Sequence, residues 1–276
     1  MDILQRVKHS APLRPWRARR HRAWFLSEQG YLAHCGVFES FEQARAWLPK
    51  TREFDQRELT DEYVEVRTQR VFAYDYPVLF WLAKAFEQGA RRVWDIGGSV
   101  GVHYFAYRTY VEYPDGVEWL VSELPNVVEV GRELALREGA AGLSFSSALD
   151  PGAIEADVWI SAGAMQFIET ALQGNSLLAR ARYFPQHLLF NKLPLYEGDD
   201  FVATQNIGRR SFTPVHVYNR QRFVACIEEL GYQLLDAWDV PERSFHLMGR
   251  PDKSFDHFSG LYFRARSSNF HPRTMR

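Results

Sequence analysis

The sequence predicts an α/β fold: a Rossmann-like, seven-stranded, mostly parallel sheet with helices on both faces, plus a small N-terminal α+β addition and a substrate-side insert. Three observations predict it. The run Val93-Trp94-Asp95-Ile96 is apolar but for one acid. It turns through Gly97-Gly98-Ser99-Val100-Gly101 into Val102-His103-Tyr104-Phe105, which has helical spacing. Strand-like and helix-like runs then alternate to about Arg182, the pattern of βα units on a parallel sheet. The second such strand, Val117 to Ser122, ends on Glu123, where doubly wound folds place an acid that binds ribose hydroxyls.

The elements follow in order. Residues 1–22 are rich in Arg and Pro, with Arg6, Lys8, Arg14, Arg17, Arg19, Arg20 and Arg22. They read as a solvated basic arm, suited at most to weak contact with an anionic surface. Residues 23–66 read as an accessory, lid-like segment. It holds an aromatic strand-like piece, a helix from Ser40 to Trp47, and a charged surface loop from Lys50 to Val66. Ser40 is the expected N-cap, with Gln43 at the capping-box position. The main domain spans 67–267, with the insert at 195–218, and 268–276 is a tail. Its opening helix, Val71 to Phe86, carries Tyr74 and Tyr76 as pocket candidates, because buried hydroxyls need partners.

After Glu123, Leu124-Pro125-Asn126 leads into a helix through Arg132 to Ala135. Leu143-Ser144-Phe145 is the third strand. Asp157 to Ser161 is the fourth and runs into Ala162-Gly163-Ala164-Met165-Gln166. The fifth, His187 to Phe190, ends at Asn191-Lys192-Leu193-Pro194. The insert reads as loop-rich and holds Tyr196, Asp199, Asp200, Gln205, Asn206 and His216. Asn219 caps a helix that Gly231 ends. Tyr232 to Trp238 and Leu261 to Arg264 supply a hairpin-like antiparallel edge.

The glycine turn constrains its ligand. A P-loop needs a lysine that is absent here, and the spacing Asp95-x-Gly97-Gly98-x-x-Gly101 departs from the dinucleotide fingerprint. An acid inside the motif repels a pyrophosphate but suits a ligand with a cationic amine. S-adenosylmethionine (SAM) has that amine and no phosphate. A plain structural turn is the alternative, and the pairing with Glu123 favours the binding reading.

On these residues the chain resembles the class I SAM-dependent methyltransferases. More narrowly, it resembles a methyltransferase family found near polysaccharide and natural-product genes. The narrower likeness covers most of the chain. It includes Gly36-Val37-Phe38-Glu39-Ser40-Phe41-Glu42-Gln43-Ala44, the glycine turn with Tyr104, Phe105 and Arg108, and Glu123-Leu124-Pro125. Leu143-Ser144-Phe145, Met165-Gln166-Phe167 and Gln205 complete it. The resemblance implies SAM as cofactor, S-adenosylhomocysteine as product and no metal. It places the cofactor against Asp95, Gly97, Gly98, Ser99, Gly101, Glu123, Leu124, Ala148, Leu149, Ser161 and Gly163. The acceptor, a small molecule or glycan precursor, is expected beside Tyr74, Tyr76, Tyr104, Asn191 and Gln205. Methyl transfer to oxygen leads, with N-methylation by positioning alone as the alternative. An NAD or nucleotide-sugar oxidoreductase and a non-catalytic SAM-binding subunit stand behind both.

The sequence departs from its relatives on the acceptor side. The narrower family has Asp-Arg-Thr-Pro where this chain has Asn191-Lys192-Leu193-Pro194, and Gln and Asn where it has Ala106 and Tyr107. The Glu-Leu-Pro stretch also resembles small-molecule O-methyltransferases, whose catalytic histidine follows the fourth strand. Gln166 stands there, and an amide accepts no proton at neutral pH. His103 and His216 are therefore the base candidates. His103 opens the post-turn helix, where the dipole favours the neutral imidazole, and a packing or cofactor-side role is its alternative. His216 lies between two valines, and a half-buried strand residue is its alternative.

Composition narrows the rest. A formal charge of −1 over 276 residues argues against general nucleic-acid binding. Two distant cysteines, Cys35 and Cys226, form no disulfide framework and fit a reducing cytoplasm. Nine scattered histidines lack zinc-ligand spacing. No apolar run reaches the roughly twenty residues of a membrane span. Pro12, Pro15 and Arg17 interrupt any signal-peptide core. Homo-oligomerisation stays open.

Overall fold

The computed structural model describes residues 14–50, 53–54, 64, 66–169 and 177–266. The N-terminal part of the basic arm, most of the charged loop before Val66 and the tail from 268 lie outside the described residues. In the first segment α1 (Arg14–Phe25), β1 (His34–Phe38) and α2 (Phe41–Trp47) follow one another. Helix α1 continues across the arm boundary at residue 22. The main domain has α3 (Tyr76–Glu87), β2 (Arg92–Ile96), α4 (Val102–Tyr107), β3 (Glu118–Ser122), α5 (Pro125–Arg137), β4 (Leu143–Ser146) and β5 (Val158–Ala162). It continues with β6 (His187–Leu193), β7 (Leu195–Tyr196), β8 (Phe201–Gly208), β9 (Ser211–Asn219), α6 (Arg220–Glu229), β10 (Tyr232–Val240) and β11 (Phe258–Ala265).

The main sheet has seven strands in the order β10-β11-β6-β5-β2-β3-β4. Strands β2 to β6 are mutually parallel. β11 runs antiparallel to both β6 and β10, so the final pair contributes one internal strand and one edge. The strand order reverses between β2 and β5, which opens a crevice beyond their carboxyl ends.

The central strands are buried on both faces, as parallel strands under two helical layers must be. Successive residues face opposite ways. Val93 packs with Val78, Leu79, Leu82 and Phe86 of α3. Trp94 packs with Trp159, Leu188, Phe223 and Ile227 on the other side. Local signals place the helix ends. Ser40 Oγ accepts from Gln43 N at 3.2 Å, while Gln43 Oε1 accepts from Glu39 N, one residue before the cap. Asn219 Oδ1 accepts from Arg222 N at 2.8 Å, and Gly231 leaves α6 at φ +96°.

Two elements differ from the sequence reading. The helix expected from Val71 starts at Tyr76, because Pro77 fits only the first turn of a helix. A short 3₁₀ turn, Ala73–Asp75, precedes it. The insert is not loop-rich. β8 and β9 pair antiparallel along their length and join β1 and β7 in a four-stranded sheet, β1-β8-β9-β7. Their reversal is Arg209-Arg210, both with positive φ (+50° and +58°), between the paired Gly208 and Ser211. Hairpins of this kind usually carry Asn-Gly, so Arg-Arg gave no turn signal. β1 pairs with β8, setting His34 opposite Gln205. The N-terminal segment and the insert thus form one layer. Among the described residues, no helix is long and apolar enough to cross a membrane.

Candidate active site

The glycine turn is held by its neighbours. Gly97 N donates to Ser122 O at 2.9 Å. Trp94 Nε1 donates to Ser122 Oγ, which donates on to Ala148 O, and Ser161 Oγ donates to Ile96 O at 3.0 Å. Gly97 has φ +70°, and a Cβ there would sit 2.2 Å from Ala164 Cβ. A Cβ on Gly98 would sit 2.3 Å from Asp95 Oδ2. The first glycine is needed because the loop after β5 closes on it, the second because a carboxylate lies against it. Gly101, at φ +88°, starts α4.

Asp95 is fully buried. Its carboxylate does not face the cavity as the cofactor reading requires. It shares the strand face of Val93 and turns inward, where His103 Nδ1 lies 2.9 Å from Oδ2 and 3.1 Å from Oδ1. Trp119 Nε1 donates to Oδ2 at 3.3 Å. A carboxylate only accepts, so Nδ1 is the donor of this pair and Nε2 points away from it. Tyr107 packs against the imidazole at 5.3 Å between ring centroids.

Glu123 is half-buried at the tip of β3. Oε1 accepts from Ser99 N at 3.2 Å and Oε2 from Leu124 N at 2.8 Å. Burial raises its pKa, and the two N–H donors oppose that rise. Each oxygen keeps a lone pair for a further donor.

These groups line a cavity of about 900 Å³, at the upper end of the range for small-molecule sites. One wall holds Gly97, Gly98, Ser99, Val102, His103, Glu123, Leu124, Ala148, Leu149, Gly163 and Gln166. The rest of the lining is Tyr31 and His34 from the N-terminal segment, Gln205, Ile207 and Thr213 from the second sheet, and Arg67, Glu242 and Arg243, with Lys192 next to Gly163. Gln166 is buried, with Nε2 donating to Gly163 O at 3.1 Å and Oε1 unpartnered. One acceptor position is therefore open. Burial, with His246 and Arg243 adding to it, pushes the His34 pKa down to about 3, so this imidazole is neutral.

Lys192 is a site residue that sequence reasoning missed. It is buried at the tip of β6 with φ +57°. Its side chain crosses Gly163, where a Cβ would come within 3.2 Å of its Cε. Its Nζ lies 5.1 Å from the Tyr74 ring centroid. Burial pushes its pKa down to about 7. Asp75 and Asp95 favour the charge, and Arg67 and Arg243 oppose it. The signal available was its place at the tip of the fifth strand. Arg67 and Arg243 sit outside any motif.

Several expected site residues lie elsewhere. His216 is on the opposite face of β9 from Thr213, as a period of two requires. It stacks on Tyr218 at 4.2 Å beside a separate cavity of about 320 Å³, and burial lowers its pKa. Tyr104 is buried among Phe105, Tyr113 and Trp119. Tyr76 is exposed on α3, edge-on to Tyr110. Tyr74 is buried behind the cavity wall, stacked on Phe72 at 5.5 Å. Asn191 is fully buried, donating to Tyr74 O and accepting from Lys192 N and Trp238 Nε1. Ser161, Gly101 and Asp95 shape the turn from behind.

No family model and no curated protein matches the chain. Solved structures are similar at a distance. The N-terminal domain of EvdMO1, determined in the presence of SAH and D-fucose, is 15% identical with a TM-score of 0.47, over 79% of this chain and 100% of that one. Magnesium protoporphyrin IX methyltransferase (ChlM) from Synechocystis PCC 6803 with bound SAM is 14% identical with a TM-score of 0.48, over 90% and 97%. The Burkholderia thailandensis 1,6-didemethyltoxoflavin-N1-methyltransferase, with 1,6-didemethyltoxoflavin and S-adenosylhomocysteine, is 14% identical with a TM-score of 0.47, over 79% and 92%.

Proposed function

We propose that the chain is a SAM-dependent methyltransferase acting on an oxygen of a small molecule or glycan precursor. One observation carries this reading: His103, held from behind by Asp95, lines one cavity with the glycine turn and Glu123. The residues present fit the cofactor. Gly97 leaves main chain bare at the cavity wall, Glu123 offers two oxygens to a ribose diol, and Leu124, Ala148 and Leu149 supply an apolar edge for a purine. SAM, when bound, supplies a methyl group on a positively charged sulfur.

The chain's own residues do the rest. Asp95 fixes His103 with Nδ1 protonated, so Nε2 is available to take the proton of an acceptor hydroxyl. Gln166 Oε1 accepts a hydrogen bond from the acceptor and orients it. The second sheet and the segment from Tyr31 to His34 line the acceptor side of the cavity. An amine acceptor needs positioning but no base, and this separates the N-methyl alternative. We place the protein in the cytoplasm, in small-molecule biosynthesis, with self-association compatible.

Calorimetry with SAM, S-adenosylhomocysteine, NAD and a nucleotide-sugar tests the reading. Binding of the first two alone is expected. Binding of NAD or the nucleotide-sugar instead would overturn it.

A further inference from the structure

We propose that the acceptor carries an oxyanion, a carboxylate or a phosphate, and that Arg67, Arg243 and Lys192 form the subsite that binds it. The inference rests on reading this cavity as the acceptor site of a methyltransferase. All three side chains line the cavity. The Arg67 guanidinium lies 4.5 Å from the Phe72 ring centroid and 6.0 Å from that of Tyr74. Lys192 Nζ lies 5.1 Å from the same Tyr74 centroid, so the two charges gather around one ring. Arg67 Nε is buried without a hydrogen-bond partner.

The acids nearby are committed elsewhere. Asp75 accepts from Tyr107 Oη and Phe72 N, each at 3.0 Å. Asp95 is taken by His103 and Trp119. Glu123 is held by backbone N–H groups on the facing wall. Glu53 pairs with Arg45 at 2.9 Å. Glu242 is the remaining acid on the cavity lining, and it is exposed. His34 is neutral and adds no charge.

Of the four cations that line the cavity, Arg45 is paired with Glu53, and Arg67, Lys192 and Arg243 have no carboxylate within ion-pair distance among the described residues, so positive charge is gathered there. Such charge is costly in a desolvated place unless a partner arrives. Guanidinium groups take carboxylate or phosphate through paired N–H donors. Burial and the two arginines disfavour the charge on Lys192, with Asp75 and Asp95 only partly offsetting them. An oxyanion among the three would restore it. Anion binding should therefore be coupled to proton uptake at Lys192.

The test is solution NMR of protein labelled with ¹³C-lysine, following the Lys192 Cε resonance against pH in the presence of S-adenosylhomocysteine. Lys192→Met assigns the signal. The probes are inorganic phosphate, benzoate and, as neutral control, benzyl alcohol. Phosphate or benzoate should move the Lys192 midpoint up by about one unit or more, the shift produced by a roughly tenfold preference for the charged lysine. Benzyl alcohol should not move it. Response to phosphate alone assigns a phosphate-bearing acceptor; response to benzoate alone assigns a carboxylate. Arg67→Gln and Arg243→Gln should each suppress the response while S-adenosylhomocysteine affinity, measured by calorimetry on the same samples, stays unchanged. A Lys192 midpoint that neither anion moves in the wild-type protein, with S-adenosylhomocysteine bound, overturns the proposal. Failure of S-adenosylhomocysteine to bind would instead strike the methyltransferase reading.

Discussion

On one wall of the cavity, neighbours in the sheet hold one another: Gly97 bonds to Ser122, Ser99 to Glu123, and Ser161 to Ile96. The facing lining draws His34, Arg67, Gln205 and Arg243 from four separate stretches of chain, with Lys192 of β6 bordering it. The first wall is made of strand tips, set by the register of a parallel sheet, and Glu123 is its main charge. The second depends on β1 finding β8 and on β6 placing one lysine at positive φ. A donor common to many enzymes suits a wall fixed by the fold. An acceptor particular to one enzyme suits a wall assembled from loops, which change without disturbing the sheet.

The contrast breaks most sharply at Gly97. Gly97→Val places a branched side chain at φ +70° where even a Cβ would lie 2.2 Å from Ala164 Cβ. SAM binding should be abolished by calorimetry while the folded circular-dichroism signature remains. Normal binding would remove the turn from the cofactor wall.

His103 lies on the first wall. His103→Ala should lower kcat on the order of 10²–10⁴-fold and remove the acidic limb of the pH–rate profile, with SAM affinity retained. Gln166→Ala should lower activity without altering either limb. An unchanged rate in His103→Ala would move the acceptor atom to nitrogen.

Glu123→Ala should weaken SAM by about 1.5–3 kcal/mol, the loss expected for charge-assisted hydrogen bonds. Unchanged affinity in the folded variant would exclude Glu123 as the ribose ligand.

The smallest effects are pH-dependent and differ between regions. His34 and His187 have folded pKa values pushed down to about 3 and about 4, in both cases chiefly by burial. The unfolded chain then binds more protons below about pH 6.5, so stability should fall on acidification from there. Lys192, at about 7 when folded, acts in another window. There the unfolded chain holds more protons between about pH 7 and 10.4, so stability rises with pH across it. Lys192→Met should therefore be the more stable protein at pH 6 to 7, with the advantage fading toward pH 10. Denaturant titrations at several pH values check both. A constant difference across that range would show that Lys192 keeps its ordinary pKa.

By itself, the sequence determined the alternation of strands and helices, the glycine turn, Glu123 at the tip of β3, and the caps at Ser40 and Asn219. Each is a local matter. Strand and helix periods appear within a few residues, and a cap acts within one helical turn. Tertiary structure decided the rest. Asp95 sits on the face of β2 that α4 covers, so its carboxylate meets His103 and not a ligand. Whether a strand-end acid points at a helix or at a cavity depends on where that helix packs. His216 lies on the face of β9 away from the main cavity, which follows from strand pairing across the Arg209-Arg210 reversal. Arg67, Lys192 and Arg243 meet only after three distant segments pack around the ring of Tyr74 and its surroundings. No local period encodes that meeting, because it is fixed by long-range strand pairing and by the burial that follows.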